Sequence, residues 1–439
     1  MYASRSESHQ QDKQKRKRRL RRLVVINLSL LGVIAVLLGG YLAAVNFDKL
    51  QNFFSFSGGS DLEQAAPAQG DGANAGAGNE SSAVEGAESL EEDPLGAPTN
   101  STEDAGMPDE MAENGAAEPA AGSDAGDKVN LAFVGDILVG EYVSAITQRE
   151  GYDFLYQPSL LYLSEPDLTA GNLEYPVTTR GVPVEGTPYV FKGLPETLPS
   201  IRNAGFDVMS LANNHALDQG VEGMLDTMKH LDEAGISHMG AGSNDTEAFT
   251  PVIKEVRGVK IAYIGLSRVV PFVSWKADRN IAGVAETYET KRAVAAISKA
   301  KEQADIVVVM VHWGEERTDQ PLPYQKDFGR QYIDAGADLV IGSHPHVLQG
   351  FEMYKGKWIA YSLGNFIFTS YPKKEAGETG VLDASCTKDG DCDLKFHPMF
   401  TVEAQPTPME AEAGKALLER LTSISFDVQL REDGVLVPN

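Results

Sequence analysis

Apolar segments alternate with amphipathic ones from residue 129 to residue 368, and this pattern limits the folds open to the chain more than any other feature. The runs 129–134, 206–211 and 306–311 have the length and composition of buried strands. The Ala/Lys/Glu-rich run 289–303 is typical of a helix. Alternating strands and helices predict an α/β domain of about 240 residues, layered around a largely parallel sheet.

Five of the predicted strands end in side chains that can bind a metal. In an open α/β sheet, ligands bind at the carboxyl ends of the strands. If these residues were polar only because they face solvent, they would also be scattered along the helices. We therefore predict a metal site at the carboxyl-end edge of the sheet. The residues are Asp136, Asn172, Glu174, Asn213, Asn214, His215, His312, His344 and His346.

The paired histidines His344 and His346 follow the apolar run 338–341 on a short turn. Two imidazoles held on a tight loop are typical of a metal site, although they could also do no more than cap a strand. His230, His238 and His397 lie on a predicted helix, a short strand and a late hairpin. We expect those three to be structural or solvated.

The first 45 residues predict a membrane anchor. Residues 1–22 carry nine Lys/Arg against two acids, and an uncharged apolar run follows from Leu23 to Val45. Its 23 residues are enough to span a bilayer, and the basic flank predicts a cytoplasmic N-terminus with the remainder exported. A cleaved signal peptide or a basic nucleic-acid arm are the alternatives, but the run is longer than a usual signal core.

Residues 46–127 read as a disordered linker rich in Gly and Ala. Between residues 57 and 127 there are 17 Asp/Glu and no Lys or Arg, so the segment cannot bury enough apolar surface to fold. The whole chain has a net charge of −25, which leaves the folded part acidic as well. We therefore do not expect the folded part to bind nucleic acid.

The chain has two cysteines, Cys386 and Cys392, in residues 371–439, which we expect to form a C-terminal extension with a hairpin. Asp389-Gly390 is a turn signal, and the flanks alternate as paired strands do. Such a hairpin can bring two α-carbons within disulfide range, and an exported location favours the bond. Two free thiols or a soft metal pair are the alternatives.

The motifs together resemble those of the poly-γ-glutamate capsule synthesis protein CapA family. The resemblance covers residues 129–368 in unchanged order and rests on Gly135-Asp136, Gly171-Asn172-Leu173-Glu174, Asn213-Asn214-His215-Ala216-Leu217-Asp218, His312-Trp313-Gly314-Glu315, His344-Pro345-His346-Val347 and Ser362-Leu363-Gly364-Asn365-Phe366. That family in turn resembles the calcineurin-like metallophosphoesterases. The resemblance implies a four-layer sandwich of two mixed sheets flanked by helices, here preceded by one transmembrane helix and the linker, with the domain at 128–370.

The resemblance also implies a ligand set, with two departures. Asp136 matches the first aspartate of the metallophosphoesterase motifs, while Leu138 stands where a histidine is expected. Asn172 stands in place of a bridging aspartate, and Glu174 two residues on is a substitute for it. These departures bear on whether a complete two-metal centre exists.

The remaining motifs supply further residues that match ligands of the metallophosphoesterases. Asn214 and His215 match a Gly-Asn-His motif in which Asn is a ligand and His a proton donor, and His312, His344 and His346 match the other ligands. One implied site holds Asn214, His312 and His344, and the other holds Asp136, His346 and Glu174. Imidazole and carboxylate ligands suit one or two ions of Mn, Zn or Fe, which lower the pKa of bound water.

The resemblance assigns further roles around the metal. His215, Asp136 and Glu174 would be the catalytic residues. The substrate would be bound by Trp313, Glu315 and Asn365, although Trp313 could instead pack in the core and Asn365 could stabilise a loop.

Two functions follow. In the first, the chain is a membrane-anchored hydrolase or transferase in the plasma membrane with its folded domain outside the cell. It would act on an anionic envelope polymer or its phosphorylated intermediate, alongside other capsule-synthesis membrane proteins. In the second, it is a non-catalytic scaffold that binds the polymer during export. Leu138 and Asn172 favour the scaffold, whereas His215 favours the enzyme.

Overall fold

The computed structural model describes residues 128–368 and 374–439, which lie in one compact unit. The predicted basic arm, the predicted anchor at 23–45 and the predicted linker at 46–127 lie outside these residues. No helix in the two described ranges is both long and apolar enough to cross a membrane.

The described residues alternate strands with helices over most of their length. The strands are β1 (Val129–Ile137), β2 (Leu168–Leu173), β3 (Phe206–Ser210), β4 (Ser237–Met239), β5 (Ala241–Gly242), β6 (Val252–Val256), β7 (Val259–Ser267), β8 (Gly283–Val284), β9 (Ile306–His312), β10 (Leu339–Ser343), β11 (Phe351–Tyr354), β12 (Lys357–Ala360), β13 (Asn365–Ile367), β14 (Glu378–Cys386), β15 (Cys392–Val402), β16 (Gln405–Pro408), β17 (Val428–Leu430) and β18 (Leu436–Pro438).

The α-helices are α1 (Glu141–Glu150), α2 (Leu160–Ser164), α3 (Leu198–Asn203), α4 (Gly220–Glu233), α5 (Asp245–Ala248), α6 (Lys291–Lys301), α7 (Pro323–Asp334), α8 (Lys374–Gly377) and α9 (Ala411–Ile424). Short 3-10 helices occupy Tyr152–Ser159, Pro195–Thr197 and Val273–Trp275. Gly235, just after α4, has φ +71°, a conformation that costs glycine little and ends the helix.

Two mixed sheets form the centre of the fold. The first has the order β16-β15-β14-β1-β2-β3-β4, with β13 also pairing with β1, and the second has the order β11-β12-β10-β9-β7-β6. The neighbours β1, β2, β3 and β4 are parallel, whereas β14 is antiparallel to β1. In the second sheet β7, β9, β10 and β12 are parallel, and β6 and β11 are antiparallel edge strands.

Side-chain alternation along the strands produces a layered core. In β1, Leu131 and Phe133 pack between the two sheets, while Ala132 and Val134 face helices α1 and α4. In β9, Val307 and Val309 face helices α6 and α7 on the other side of the molecule. The result is two sheets packed face to face with helices on both outer faces, which agrees with the expected mixed α/β architecture.

The structure contains elements and a strand pairing that the sequence did not predict. The edge strand β6 and the C-terminal helix α9 were not anticipated. Strand β14 pairs with β1, with Val129 opposite Cys386, so the hairpin of β14 and β15 extends the first sheet. Backbone hydrogen bonds between β1 and β14 therefore join residues on the two sides of the boundary predicted at residue 370.

Candidate metal centre

Strand register brings the predicted polar residues to one edge. In the first sheet Asp136 is level with Asn172 on β2 and with Asn365 on β13. In the second sheet His312 is level with Ser343 at the end of β10. The backbone N–H of His344 donates to Asp136 Oδ2 across 3.1 Å, so the two edges meet at this point.

The turn that carries the paired histidines has an uncommon backbone. His344 has φ +98° and His346 has φ +56°, in the left-handed region that non-glycine residues rarely adopt. The turn is held by the bond to Asp136 and by the backbone N–H of Arg317, which donates to Pro345 O across 2.7 Å. Strain of about 1–3 kcal/mol per residue persists only where surrounding contacts impose it, and it is typical of functional sites.

Glu174 lies at the centre of the cluster. It is fully buried, and neither carboxylate oxygen has a hydrogen-bond partner. Its Oε1 lies 3.4 Å from His312 Nε2 and 4.0 Å from His346 Nε2. Two groups of donor atoms lie within 4.8 Å of one another, and both include Glu174: Glu174 with His312 and His344, and Glu174 with Asp136 and His346.

Burial sets the protonation of these groups. It raises the pKa of Glu174 well above its usual value, with Asp136 adding to the effect. Burial, with the neighbouring His344 and His346, lowers the pKa of His312 well below the ordinary value. Burial also lowers the pKa of His344 to about 3. His312 and His344 are therefore neutral near pH 7, the form in which a ring nitrogen can bind a metal.

The cluster fits a divalent cation. A buried carboxylate without a partner is costly, and a cation placed among the two carboxylates and three imidazoles would offset that cost. Mixed nitrogen and oxygen donors suit Mn, Zn or Fe. The residues that would hold one or two ions are Asp136, Glu174, His312, His344 and His346.

Asn172 has a different role from the one expected. Its Nδ2 donates to Asp136 Oδ1 across 2.8 Å, and its Oδ1 accepts from Asn213 Nδ2 across 3.1 Å. The amide oxygen that would bind a metal is thus turned away from Asp136. Asn172 orients Asp136 in this arrangement, while Asn214 does reach the cluster, with its Oδ1 2.6 Å from His312 Nε2.

Leu138 occupies the position where the resemblance would have placed a histidine. Its side chain is fully buried in the core between the first sheet and its helices. No ligand comes from this position, and Glu174 is the residue that both donor groups share.

His215 lies beside the cluster in a fixed orientation. Its Nδ1–H donates to Asp218 Oδ2 across 2.8 Å, and the Phe191 ring packs edge-on against it with centroids 4.7 Å apart. Asp218 is fully buried and also accepts from the backbone N–H of Phe191 across 2.7 Å. Sequence reasoning did not assign Asp218 a role, although its place three residues after His215 was visible.

The three residues expected to bind substrate lie in three different environments. Trp313 is fully buried against Tyr332 and Tyr361 and donates its Nε1–H to Tyr361 O across 2.8 Å, so it is a core residue and not a pocket wall. Asn365 Oδ1 lies 2.9 Å from His346 Nδ1 and fixes that ring. Glu315 is exposed on the loop after β9.

The cysteines lie at the other end of the first sheet. Cys386 and Cys392 face each other across β14 and β15, and their sulfur atoms are bonded at 2.04 Å. Cys386 is opposite Val129 at the start of β1, whereas the cluster is at the end of β1. The disulfide is therefore remote from the candidate metal ligands.

A family of known proteins matches most of the folded part. The family model described as bacterial capsule synthesis protein PGA_cap matches residues 130–370. The chain therefore belongs to this family of bacterial capsule synthesis proteins.

Individual relatives agree with that assignment. Capsule biosynthesis protein CapA of Bacillus anthracis is 34% identical over 309 residues, covering 66% of this chain and 71% of that protein. PGA biosynthesis protein CapA of Bacillus subtilis strain 168 is 34% identical over 319 residues, covering 71% and 82%. Among solved structures, the Haemophilus influenzae NAD nucleotidase (NadN) is similar at 13% identity and a TM-score of 0.37. The match covers 68% of this chain and 57% of that one, and a likeness at this identity and TM-score carries no argument about function.

Proposed function

We propose that this protein takes part in the synthesis or export of an anionic capsule polymer of the poly-γ-glutamate type, through a metal-dependent hydrolytic site of the phosphoesterase kind. Family membership and the names of the two Bacillus relatives support the polymer class. The observation that carries the hydrolytic site is the buried Glu174 carboxylate, which has no hydrogen-bond partner and is shared by both donor groups.

Different residues of the site would hold the metal and donate the proton. Asp136 and His346 would hold one side of the centre, and His312 with His344 the other, while Glu174 joins them. A divalent cation bound there supplies Lewis-acid chemistry and an activated water near neutral pH. Because Nδ1–H of His215 donates to Asp218, Nε2 is the ring atom left to act on the substrate, and in the doubly protonated form of the ring it would give its proton to the leaving oxygen.

The alternative is a scaffold that binds the polymer without turnover. Two observations favour it: the buried leucine at position 138 and the Asn172 amide oxygen, which is turned toward Asn213. Both reduce the number of ligands relative to a complete two-metal centre. Metal binding is common to both candidates, so turnover separates them.

The test begins with metal content of the full-length protein, measured by inductively coupled plasma mass spectrometry. His312→Ala and His344→Ala should each lose most of the bound metal. His230→Ala and His397→Ala are matched controls, because those rings pair with Glu233 and Asp383 away from the cluster, and they should keep it. Equal occupancy in all four variants rejects the site.

The second step measures turnover of a generic phosphodiester by the metal-loaded protein. Hydrolysis that is lost in His215→Gln while metal is retained supports the enzyme. Full metal occupancy with no turnover supports the scaffold.

A further inference from the structure

Most arginines in the described ranges have a carboxylate partner within 4.0 Å. Seven of them do: Arg149, Arg180, Arg202, Arg257, Arg292, Arg330 and Arg420. Arg279 and Arg431 are unpaired there and exposed to solvent. The other two described arginines without a carboxylate at that distance are Arg268 and Arg317, and the backbone of each is hydrogen-bonded to a segment that carries candidate metal ligands.

Arg268 is held between two aromatic rings. Its Cζ lies 4.1 Å from the Tyr288 ring centroid and 5.1 Å from the Tyr324 ring centroid. The rings are fixed in turn, because Tyr288 Oη accepts from the backbone N–H of Val270 and Tyr324 Oη accepts from that of Gly314. Stacking of this kind orients a guanidinium and leaves its edge donors available for a planar anion.

Arg268 is also only partly exposed, and its buried Nε has no hydrogen-bond partner. A partly buried guanidinium without a counter-ion is unfavourable in a folded protein. An anion bound from outside would remove that cost. The chain as a whole is acidic, with a net charge of −25, so the absence of a carboxylate at this position is not explained by composition.

Both arginines are tied by their backbones to the segments that carry the candidate ligands. The N–H of Arg268 donates to His312 O across 2.8 Å. The N–H of Arg317 donates to Pro345 O across 2.7 Å, between the two histidines of the turn, and Arg317 has φ +61°. The backbones of both arginines therefore adjoin the segments that carry His312, His344 and His346, and Tyr324, which packs on Arg268, accepts from the backbone N–H of Gly314 in the loop that leads to Arg317.

We propose that Arg268 and Arg317 form an anion subsite that binds the free α-carboxylates of the γ-linked polymer beside the candidate metal centre. The inference rests on the proposed function and deepens it, because it names the chemical group that is recognised. An acidic protein repels a polyanion at long range, and a pair of unpaired guanidinium groups supplies the local attraction that is needed. Glu315 and Glu316 on the same loop are exposed to solvent, where their charges are screened.

The experiment measures binding of a fluorescent γ-linked glutamate oligomer to full-length protein by anisotropy, with metal content recorded for every variant. Arg268→Gln and Arg317→Gln should each weaken binding about tenfold, the value for loss of one charge-assisted contact. Arg268→Lys should restore only part of the affinity, because an ammonium keeps the charge but not the planar fork. Arg431→Gln removes the same charge from an exposed, unpaired arginine in the turn between β17 and β18 and should bind like the wild type.

Equal affinity in Arg268→Gln, Arg317→Gln and Arg431→Gln overturns the subsite and leaves the metal-site proposal standing. A wild-type protein that contains no bound metal overturns the proposed function instead. Failure of the subsite and failure of the proposed function are therefore distinguishable. Arg317 is exposed, so its variant remains informative if Arg268→Gln does not fold. Inorganic phosphate and glutarate are competitors: displacement by glutarate supports carboxylate recognition, and displacement by phosphate alone overturns it.

Discussion

Glu174 is the residue whose environment most directly predicts metal binding. Both of its oxygens are buried without a partner, and Asp136 raises its pKa further. In the absence of a divalent ion, Glu174→Gln should therefore be at least as stable as the wild type, because it removes an acid that has no partner. Wild-type protein should gain about 2.7 kcal/mol of stability when the ion is present at about 100 times its dissociation constant, and the variant should gain much less.

Thermal unfolding with and without added Mn²⁺ measures this difference. Glu165→Gln is the control, since Glu165 is exposed and remote from the candidate ligands, and it should respond to Mn²⁺ as the wild type does. An equal rise in melting temperature for Glu174→Gln and the wild type would contradict a metal role for this carboxylate.

Single residues were predictable from the sequence where a motif carried them. His312, His344, His346, Asp136 and Glu174 stood at strand ends, and the fold brings them within reach of one another. Asn172 and Trp313 stood in the same motifs, yet one orients a neighbour and the other packs in the core. Strand-end position does not specify which way a side chain turns, because hydrogen bonds to other strands decide it.

The subsite residues could not be found in this way. Arg268 carries no motif, and its significance depends on Tyr288 and Tyr324, which come from distant parts of the chain. The missing counter-ion is a property of the folded structure and not of the local sequence.

At the scale of elements, helix α4 is joined to the segment after β2 by a buried carboxylate. Asp226 accepts from Arg180 and from Thr178 Oγ1, and the Arg180 guanidinium lowers the pKa of Asp226 to about 2. A carboxyl whose folded-state pKa is depressed contributes stability above its unfolded pKa of about 3.8 and loses it as pH falls toward the folded value. Because the Arg180 head is largely exposed, we expect a contribution of about 1 kcal/mol at neutral pH.

Asp226→Asn should therefore be less stable than the wild type at pH 7, and the difference should shrink at pH 3. Urea unfolding at the two pH values measures it. Glu222→Gln, which removes the exposed partner of Arg180, is the control and should have a smaller effect. A difference that is unchanged or larger at pH 3 would show that Asp226 does not act through its ionised form.

The hairpin of β14 and β15 gives a second prediction at this scale. Its disulfide closes a short loop, so replacing both Cys386 and Cys392 by serine should lower the free energy of unfolding by about 2–3 kcal/mol. Metal content should not change, since the hairpin meets the start of β1 and the cluster meets its end. Thiol titration of the denatured, unreduced protein should find no reactive thiol, and two reactive thiols would contradict the bond.

Elements were predictable where one periodicity dominated. The runs that became β1, β3 and β9 were identified from apolar patterning, and the run that became α6 from its Ala/Lys/Glu-rich composition. Strand β6 was missed because it is a half-exposed edge strand whose pattern is weak, and α9 was missed because it lies beyond the motif-bearing region. The pairing of β14 with β1 links residues far apart in sequence, and no local signal encodes such a contact.

At the scale of the whole molecule, charge is distributed in blocks. A basic N-terminal block of nine Lys/Arg precedes an acidic stretch with 17 Asp/Glu and no Lys or Arg. The acidic, Gly/Ala-rich composition is the basis for predicting a disordered spacer there, and both blocks lie outside the residues that the structure describes.

The membrane topology is the last prediction. The apolar run from Leu23 to Val45 after a basic flank predicts a single span with the N-terminus in the cytoplasm and the folded domain outside the cell. Protease should therefore release the folded domain when it is added to cells whose outer envelope layers admit it and whose cytoplasmic membrane is intact. A tag placed before residue 13 should stay protected until the membrane is dissolved. If the folded domain resists cleavage while an extracytoplasmic marker protein is digested, the orientation is reversed or the domain is not exported.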